Sequence, residues 1–294
     1  MTREKKLTLI LAFNILLMTL EVGGGIVSRS LALLSDAGHM LTDSFAVMLG
    51  LTALYLAKKP ASAKNSFGYH RAEIIASLLN GLLLVLISGY IFYEAAQRFF
   101  NPVEVKTGIL ITVASIGLAG NILAMWLLHS DSRSSLNIKG VFFHILGDTL
   151  SSLGVIAGGI VIAFTGWNIV DPLIGLMIGG IVLRSAYDLI VESGEVLLEA
   201  APRDIDPAQV KATLESIPGI REFHDVHIWS ITSEMRALSG HILTDDITTS
   251  QSQLLLEKAR ELLHEKFNIS HTTLEVECSS CTNNSCPACA RGDK

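Results

Sequence analysis

Apolar residues in this chain run long and nearly unbroken up to about residue 191, then turn short and periodic. Six apolar stretches, at about 7–27, 31–57, 74–98, 108–130, 136–164 and 168–191, each reach the roughly 20 residues that cross 30 Å of hydrocarbon as a helix. Basic Arg3, Lys5 and Lys6 ahead of the first stretch imitate a signal peptide. No small-residue cleavage site follows, and the run continues through Glu21 and Gly23, so a first span is expected and not a removed leader.

Beyond residue 191 the periodicities change. Pro202, Asp204, Asp206 and Pro207 mark a helix start. A helix at 207–216, a strand at 222–231, a turn at 232–236, a strand at 237–244, a helix at 250–267 and a strand at 271–277 are predicted. That order fits a small α+β domain with helices on one face of a sheet. The predicted organisation is a six-helix membrane domain over 1–191, an α+β domain over 192–277 and a Cys-rich polar tail over 278–294.

Charge sharpens this division. Only 17% of the 294 residues are charged, against about 25% in a soluble domain. Residues 1–191 carry thirteen basic and eleven acidic side chains, a net of +2, whereas residues 192–294 carry nine and seventeen, a net of −8. One part suits lipid and the other water. An acidic soluble part implies no nucleic-acid partner. Counting the connections alternately, nine basic residues (Arg3, Lys5, Lys6, Lys58, Lys59, Lys64, Arg71, Arg133, Lys139) fall on one side and three (Arg29, Arg98, Lys106) on the other. The positive-inside rule then puts both termini in the cytoplasm; the membrane expected is the cytoplasmic membrane of a prokaryote. Tyr55, Tyr90, Tyr93, Trp126 and Trp167 lie towards span ends, as interfacial aromatics do.

Ionisable residues inside spans cost at least about 2.5 kcal/mol each at the bilayer centre and need partners or a function. The second span carries Asp36, His39 and Asp43 on one face; the fifth carries His144 and Asp148, four apart. Two His–Asp pairs from two helices can close a tetrahedral cage of two nitrogens and two oxygens, which suits Zn²⁺. Two carboxylates, two neutral imidazoles and one divalent ion sum to zero charge. Emptied of metal, the same site draws protons, so metal and proton exclude one another: the physical basis of an antiporter. The bland alternative, interhelical hydrogen bonds that hold a bundle together, suits one such pair better than two at matching spacing. Asp36, one turn nearer the span start, is open between ligation and a structural or access role. Asn14, Glu21, Asn80, Glu94 and Asn121 read as packing or span-end groups. Gly154-x-x-x-Gly158 and Gly175-x-x-x-Gly179 allow close helix approach.

The runs Ser35-Asp36-Ala37-Gly38-His39-Met40-Leu41-Thr42-Asp43 and Phe67-Gly68-Tyr69-His70-Arg71-Ala72-Glu73, the pair His144-x-x-x-Asp148, and His227-Ile228-Trp229 resemble the cation diffusion facilitator family, in its two-His, two-Asp, zinc-preferring form. The resemblance covers nearly the whole chain. It implies a homodimer of six-helix subunits, each with a cytoplasmic α+β domain of ferredoxin-like, metallochaperone-like type, and proton-coupled export of Zn²⁺ or of Cd²⁺, Co²⁺ or Fe²⁺. Some members bind a further metal after the second span; here Lys64, Asn65 and a single His70 offer few ligands for it. Arg71 and Glu199 match positions where similar proteins form a charge interlock.

His224, His227, His241, His264 and His271, with Glu277, give the soluble part coordinating capacity, or are ordinary surface histidines. A hairpin turn centred on Glu234 would set His227 opposite His241, close enough to share a metal. The resemblance implies that His227, His241 and His271 bind metal near a dimer contact. Cys278, Cys281, Cys286 and Cys289 form two C-x-x-C pairs in a segment where disulfides are disfavoured. They suffice for one Zn²⁺ or remain a reduced or redox-active tail. An intramembrane metalloenzyme would need an open coordination position with a base beside it, and no H-E-x-x-H motif supplies one. A metal-sensing receptor would not need ligands placed symmetrically inside a bundle.

Overall fold

The computed structural model describes residues 3–57, 59, 62–132, 136–232 and 234–279. They form two compact units, residues 1–52 with 76–190, and residues 53–75 with 191–294.

Six long helices precede the soluble fold: α1 (Arg3–Ser28), α2 (Leu31–Ala57), α3 (Ala72–Phe100), α4 (Thr107–Ser132), α5 (Leu136–Thr165) and α6 (Val170–Leu197). Among the described residues, Ala72–Phe100, Thr107–Trp126, Ile145–Thr165 and Val170–Leu197 are long and apolar enough to cross a membrane, and Ala12–Ser28 is a shorter apolar segment of α1. The first unit is apolar outside and polar within. Leu16, Leu86, Phe100, Trp126, Phe164 and Met177 point outwards, whereas Glu21, Asp36, Asn121, Asp148 and Asp171 are buried. That inversion of the soluble pattern is what lipid as solvent demands. An apolar core around Leu33, Leu84, Leu110, Val113, Val155 and Val182 fills the rest.

One end of this unit is stitched by a polar network. Asp171, in the first turn of α6, accepts from the Ser30 hydroxyl at 2.5 Å and from the Leu31 and Ala32 N–H groups at 2.6 and 3.3 Å. The N–H donors that the α2 N-terminus leaves without helical partners are thus capped by a carboxylate from another helix. Arg98 of α3 donates to the Arg29 carbonyl at 2.6 Å and to Asp171 at 3.3 Å. Gly175 of α6 lets Leu31 approach, since a Cβ there would stand 3.1 Å from the Leu31 side chain.

In the second unit, α7 (Pro207–Glu215), β1 (Glu222–Ser230), β2 (Arg236–Leu243), α8 (Thr249–Phe267) and β3 (Ile269–Glu277) follow in the predicted order. Asp206 caps α7 at its first turn, and Thr248 with Gln251 forms a capping box on α8. The sheet runs β1-β2-β3, with β1 antiparallel and β3 parallel to β2. Phe223, Leu238, Ile242, Val210, Leu214 and Leu263 build the core between sheet and helices.

The pairing expected across the hairpin does not form. Thr232 Oγ1 accepts the N–H groups of Glu234 and Met235 at 3.2 and 3.0 Å, and the strands pair about a centre one residue before Glu234. A bulge follows, in which Asp225 takes φ of 50° and the register shifts between His224 and His227. His224 therefore faces His241, while His227 faces Ser239.

Candidate metal centre

The face shared by His39 and Asp43 on α2 meets Asp148 on α5. His39 Nε2 lies 3.8 Å from Asp43 Oδ2 and 3.8 Å from Asp148 Oδ1. One ligand atom from each of the three residues falls within 4.8 Å of the others. The Asp148 side chain is 7% exposed, and His39 and Asp43 are about a quarter exposed, at 24% and 26%. The centre is enclosed yet reachable. Burial places two carboxylates and an imidazole where a divalent cation is worth far more than in water. His144 lies on α5 one turn before Asp148, and its side chain is outside the described residues.

Asp36 is turned to different partners. Its Oδ1 accepts from Ser151 at 2.7 Å and its Oδ2 from Ser152 at 3.4 Å, both hydroxyls on α5. It is 3% exposed and is not in the group of three. Glu21 of α1 also points inwards, at 1% exposure. From the sequence it reads as a packing group, because it has no partner at helical spacing on its own helix; its neighbours come from other helices.

The second unit gathers its own ligands on the face of the sheet away from Phe223. His241 Nδ1 is 2.8 Å from Glu277 Oε1, and His224 Nε2 is 3.4 Å from Glu277 Oε2. One atom each of His224, His241 and Glu277 lies within 4.8 Å of the others. Asp225, lifted by the bulge, stands 3.8 Å from His241 Nε2 and 3.2 Å from His227 Nε2. His227 is half-exposed and outside the group, and His271 packs edge-on against Phe67 with ring centroids 5.2 Å apart. Asp225 escaped the sequence reading because only a bulge brings it to this face.

In the same unit Arg71 Nη2 donates to Glu199 Oε1 at 2.9 Å. His70 joins no group of three metal-ligating side chains among the described residues. Cys278 is exposed, and Cys281, Cys286 and Cys289 lie outside the described residues.

Comparison with known proteins gives the family. Residues 7–198 match the family described as "Cation efflux transmembrane domain", and residues 202–279 match "Cation efflux protein, cytoplasmic domain". A "Cadmium, cobalt and zinc/H(+)-K(+) antiporter" of Bacillus subtilis is 44% identical over 88% of this chain and 84% of its own. The "Metal cation efflux system protein CzcD" of Cupriavidus metallidurans is 41% identical over 95% and 88%, and the "Zinc transporter ZitB" of Escherichia coli is 37% identical over 92% and 86%. The matched family covers the helices that carry His39, Asp43 and Asp148 as well as the sheet that carries His224, His241 and Glu277, and the chain is a member of the cation efflux family.

Proposed function

We propose that this protein exports a divalent metal, Zn²⁺ first, from the cytoplasm in exchange for protons, as a homodimer working by alternating access. The observation that carries the proposal is the convergence of His39, Asp43 and Asp148 from two helices inside an apolar bundle. With His144 as a fourth donor from α5, the set holds two nitrogens and two oxygens, the mixture that Zn²⁺ takes in tetrahedral sites. The bound ion cancels the two carboxylates; the released site takes up protons, which keep it neutral for the return. Metal and proton therefore travel in opposite directions. The bias of basic residues in the connections supports cytoplasmic termini, which puts the His224, His241 and Glu277 cluster where the metal is loaded. That cluster is suited to hold one further metal ion, with two imidazoles and a carboxylate.

Cd²⁺ or Co²⁺ is the second reading of the cargo, favoured by a relative whose name includes cadmium and cobalt beside zinc. The test is metal flux into proteoliposomes under an imposed proton gradient, across a panel of metals. Uptake of Zn²⁺ that is faster with an acidic lumen, accompanied by proton movement the other way, is expected. Uptake indifferent to the gradient, with no counter-movement of protons, would overturn the antiport reading.

A further inference from the structure

Two buried carboxylates stand beside the metal centre without belonging to it. Glu21 on α1 is 1% exposed, and its Oε2 has no hydrogen-bond partner among the described residues. Its place is made by Gly117 of α4: a Cβ there would run into the Glu21 carboxylate, and Ser152 Oγ of α5 lies 4.0 Å from the same point. Ser152 also donates to Asp36 at 3.4 Å, so the place beside Gly117 that Glu21 fills and Asp36 border the same stretch of α5.

The charged groups that face Glu21 are Asp36 from α2 and Asp148 from α5. From α4 comes the glycine, and residues 107–128 of that helix hold no ionisable side chain. No lysine or arginine occurs in residues 7–28, 31–57, 107–132 or 140–165 either, so α1, α2, α4 and α5 bring no fixed cation to this depth. While no divalent ion is held by His39, Asp43 and Asp148, no fixed cation at this depth on α1, α2, α4 or α5 offsets Glu21 and Asp36, and Asp148 adds to the negative charge they face. Bare charge at such a position is expensive, and something small and positive has to sit there.

We propose that Glu21, buried against Gly117 beside Asp36, is a proton-carrying site separate from the metal ligands, and that the arriving divalent charge drives this proton off. The carboxyl O–H bond breaks, its electron pair stays on oxygen, and the proton leaves to water as the metal enters. When metal departs, a proton from the other side restores the acid. This inference rests on the metal–proton exchange proposed above and assigns part of its proton count to a group that never touches the metal. Gly117 admits the carboxylate in this pose, since a Cβ there would displace its Oε1.

The test is the number of protons released per Zn²⁺ bound, measured calorimetrically on the full chain in detergent with buffers of different protonation enthalpy. For Glu21→Gln the count is expected to fall by about one proton while zinc still binds. An unchanged count in the variant would overturn the assignment. Zinc binding that releases no proton from the unaltered protein would instead overturn the exchange reading itself. A count that drops when K⁺ replaces a bulky organic cation would put an alkali ion at Glu21 and overturn the proton. Should the variant fail to fold, the unaltered protein answers alone. The carbonyl band of a protonated carboxyl should vanish from its infrared difference spectrum on zinc binding, and should shift when glutamate is ¹³C-labelled. A band that ignores the label, or no band, would refute the site.

Discussion

His39 on α2 and Asp148 on α5 approach to 3.8 Å between Nε2 and Oδ1, the same separation that His39 keeps from Asp43 on its own helix. Neither distance is a hydrogen bond. Ligand atoms at about 2.0–2.2 Å from a tetrahedral ion stand roughly 3.3–3.6 Å apart, so a contraction of a few tenths of an ångström would close these three around one metal. Within a single helix the i,i+4 spacing sets one edge of the cage; packing of α2 on α5 sets the other.

Removing either carboxylate takes away a ligand and half of the compensating charge. Loss of a residue that merely orients a ligand costs about 10–100-fold in metal affinity, so loss of a ligand should cost more. Asp43→Ala and Asp148→Ala are expected to lower zinc flux in proteoliposomes by about 100-fold or more, with the elution profile of the purified protein unchanged. Flux near that of the unaltered protein in either variant would remove that residue from the centre.

The selectivity of the centre should follow its imidazoles. His39→Asp exchanges a nitrogen donor for a third carboxylate, a harder set that suits metals preferring oxygen. The ratio of Mn²⁺ to Zn²⁺ transport should rise, and zinc flux itself should fall. An unaltered ratio across the metal panel would mean that His39 does not select.

Arg71 and Glu199 meet at 2.9 Å, with side chains 37% and 60% exposed. A pair so open to solvent contributes about 0–1 kcal/mol to stability, so its breakage should leave the protein folded. Any larger effect on transport then reports position and not folding. Arg71→Glu should slow zinc transport, and adding Glu199→Arg should restore part of it. A double variant no faster than the single one would refute the pairing as a functional contact.

Helical membrane segments and the strand order were legible because they rest on one-dimensional signals: long apolar runs for α3 to α6, and alternation with turn residues for β1 to β3. The shared face of His39 and Asp43 was legible for the same reason, since helical spacing is a property of the sequence, whereas the approach of Asp148 depends on the packing of α2 on α5. What the sequence could not supply was set by contacts between elements. Glu21 has no partner on α1, and its relation to Asp36 depends on how α1, α4 and α5 pack. The place of Asp171 beneath the α2 N-terminus joins residues 141 apart. The hairpin register turned on a Thr232 side-chain bond and on a bulge at Asp225, and a slip of this size is enough to exchange His227 for His224 opposite His241.

That exchange makes the soluble cluster testable residue by residue. His224, His241 and Glu277 offer three ligands within 4.8 Å, which leaves a fourth position of a tetrahedral ion for water or for a second copy of the chain. A metal that binds the folded protein alone stabilises it by about 2.7 kcal/mol when free metal is 100 times its dissociation constant. Zinc should therefore raise the unfolding temperature of the soluble part of the full chain in detergent. His241→Ala should abolish that shift and lower the zinc count by about one per subunit, because it removes a ligand held between Glu277 and His224. His227→Ala and His271→Ala should retain the shift: His227 lies outside the group and His271 is turned to Phe67. Since imidazole binds metal only through its free lone pair, the zinc-induced shift should shrink as pH falls. Survival of the full shift in His241→Ala, or its loss in His227→Ala, would mean that zinc is held by a different set of histidines.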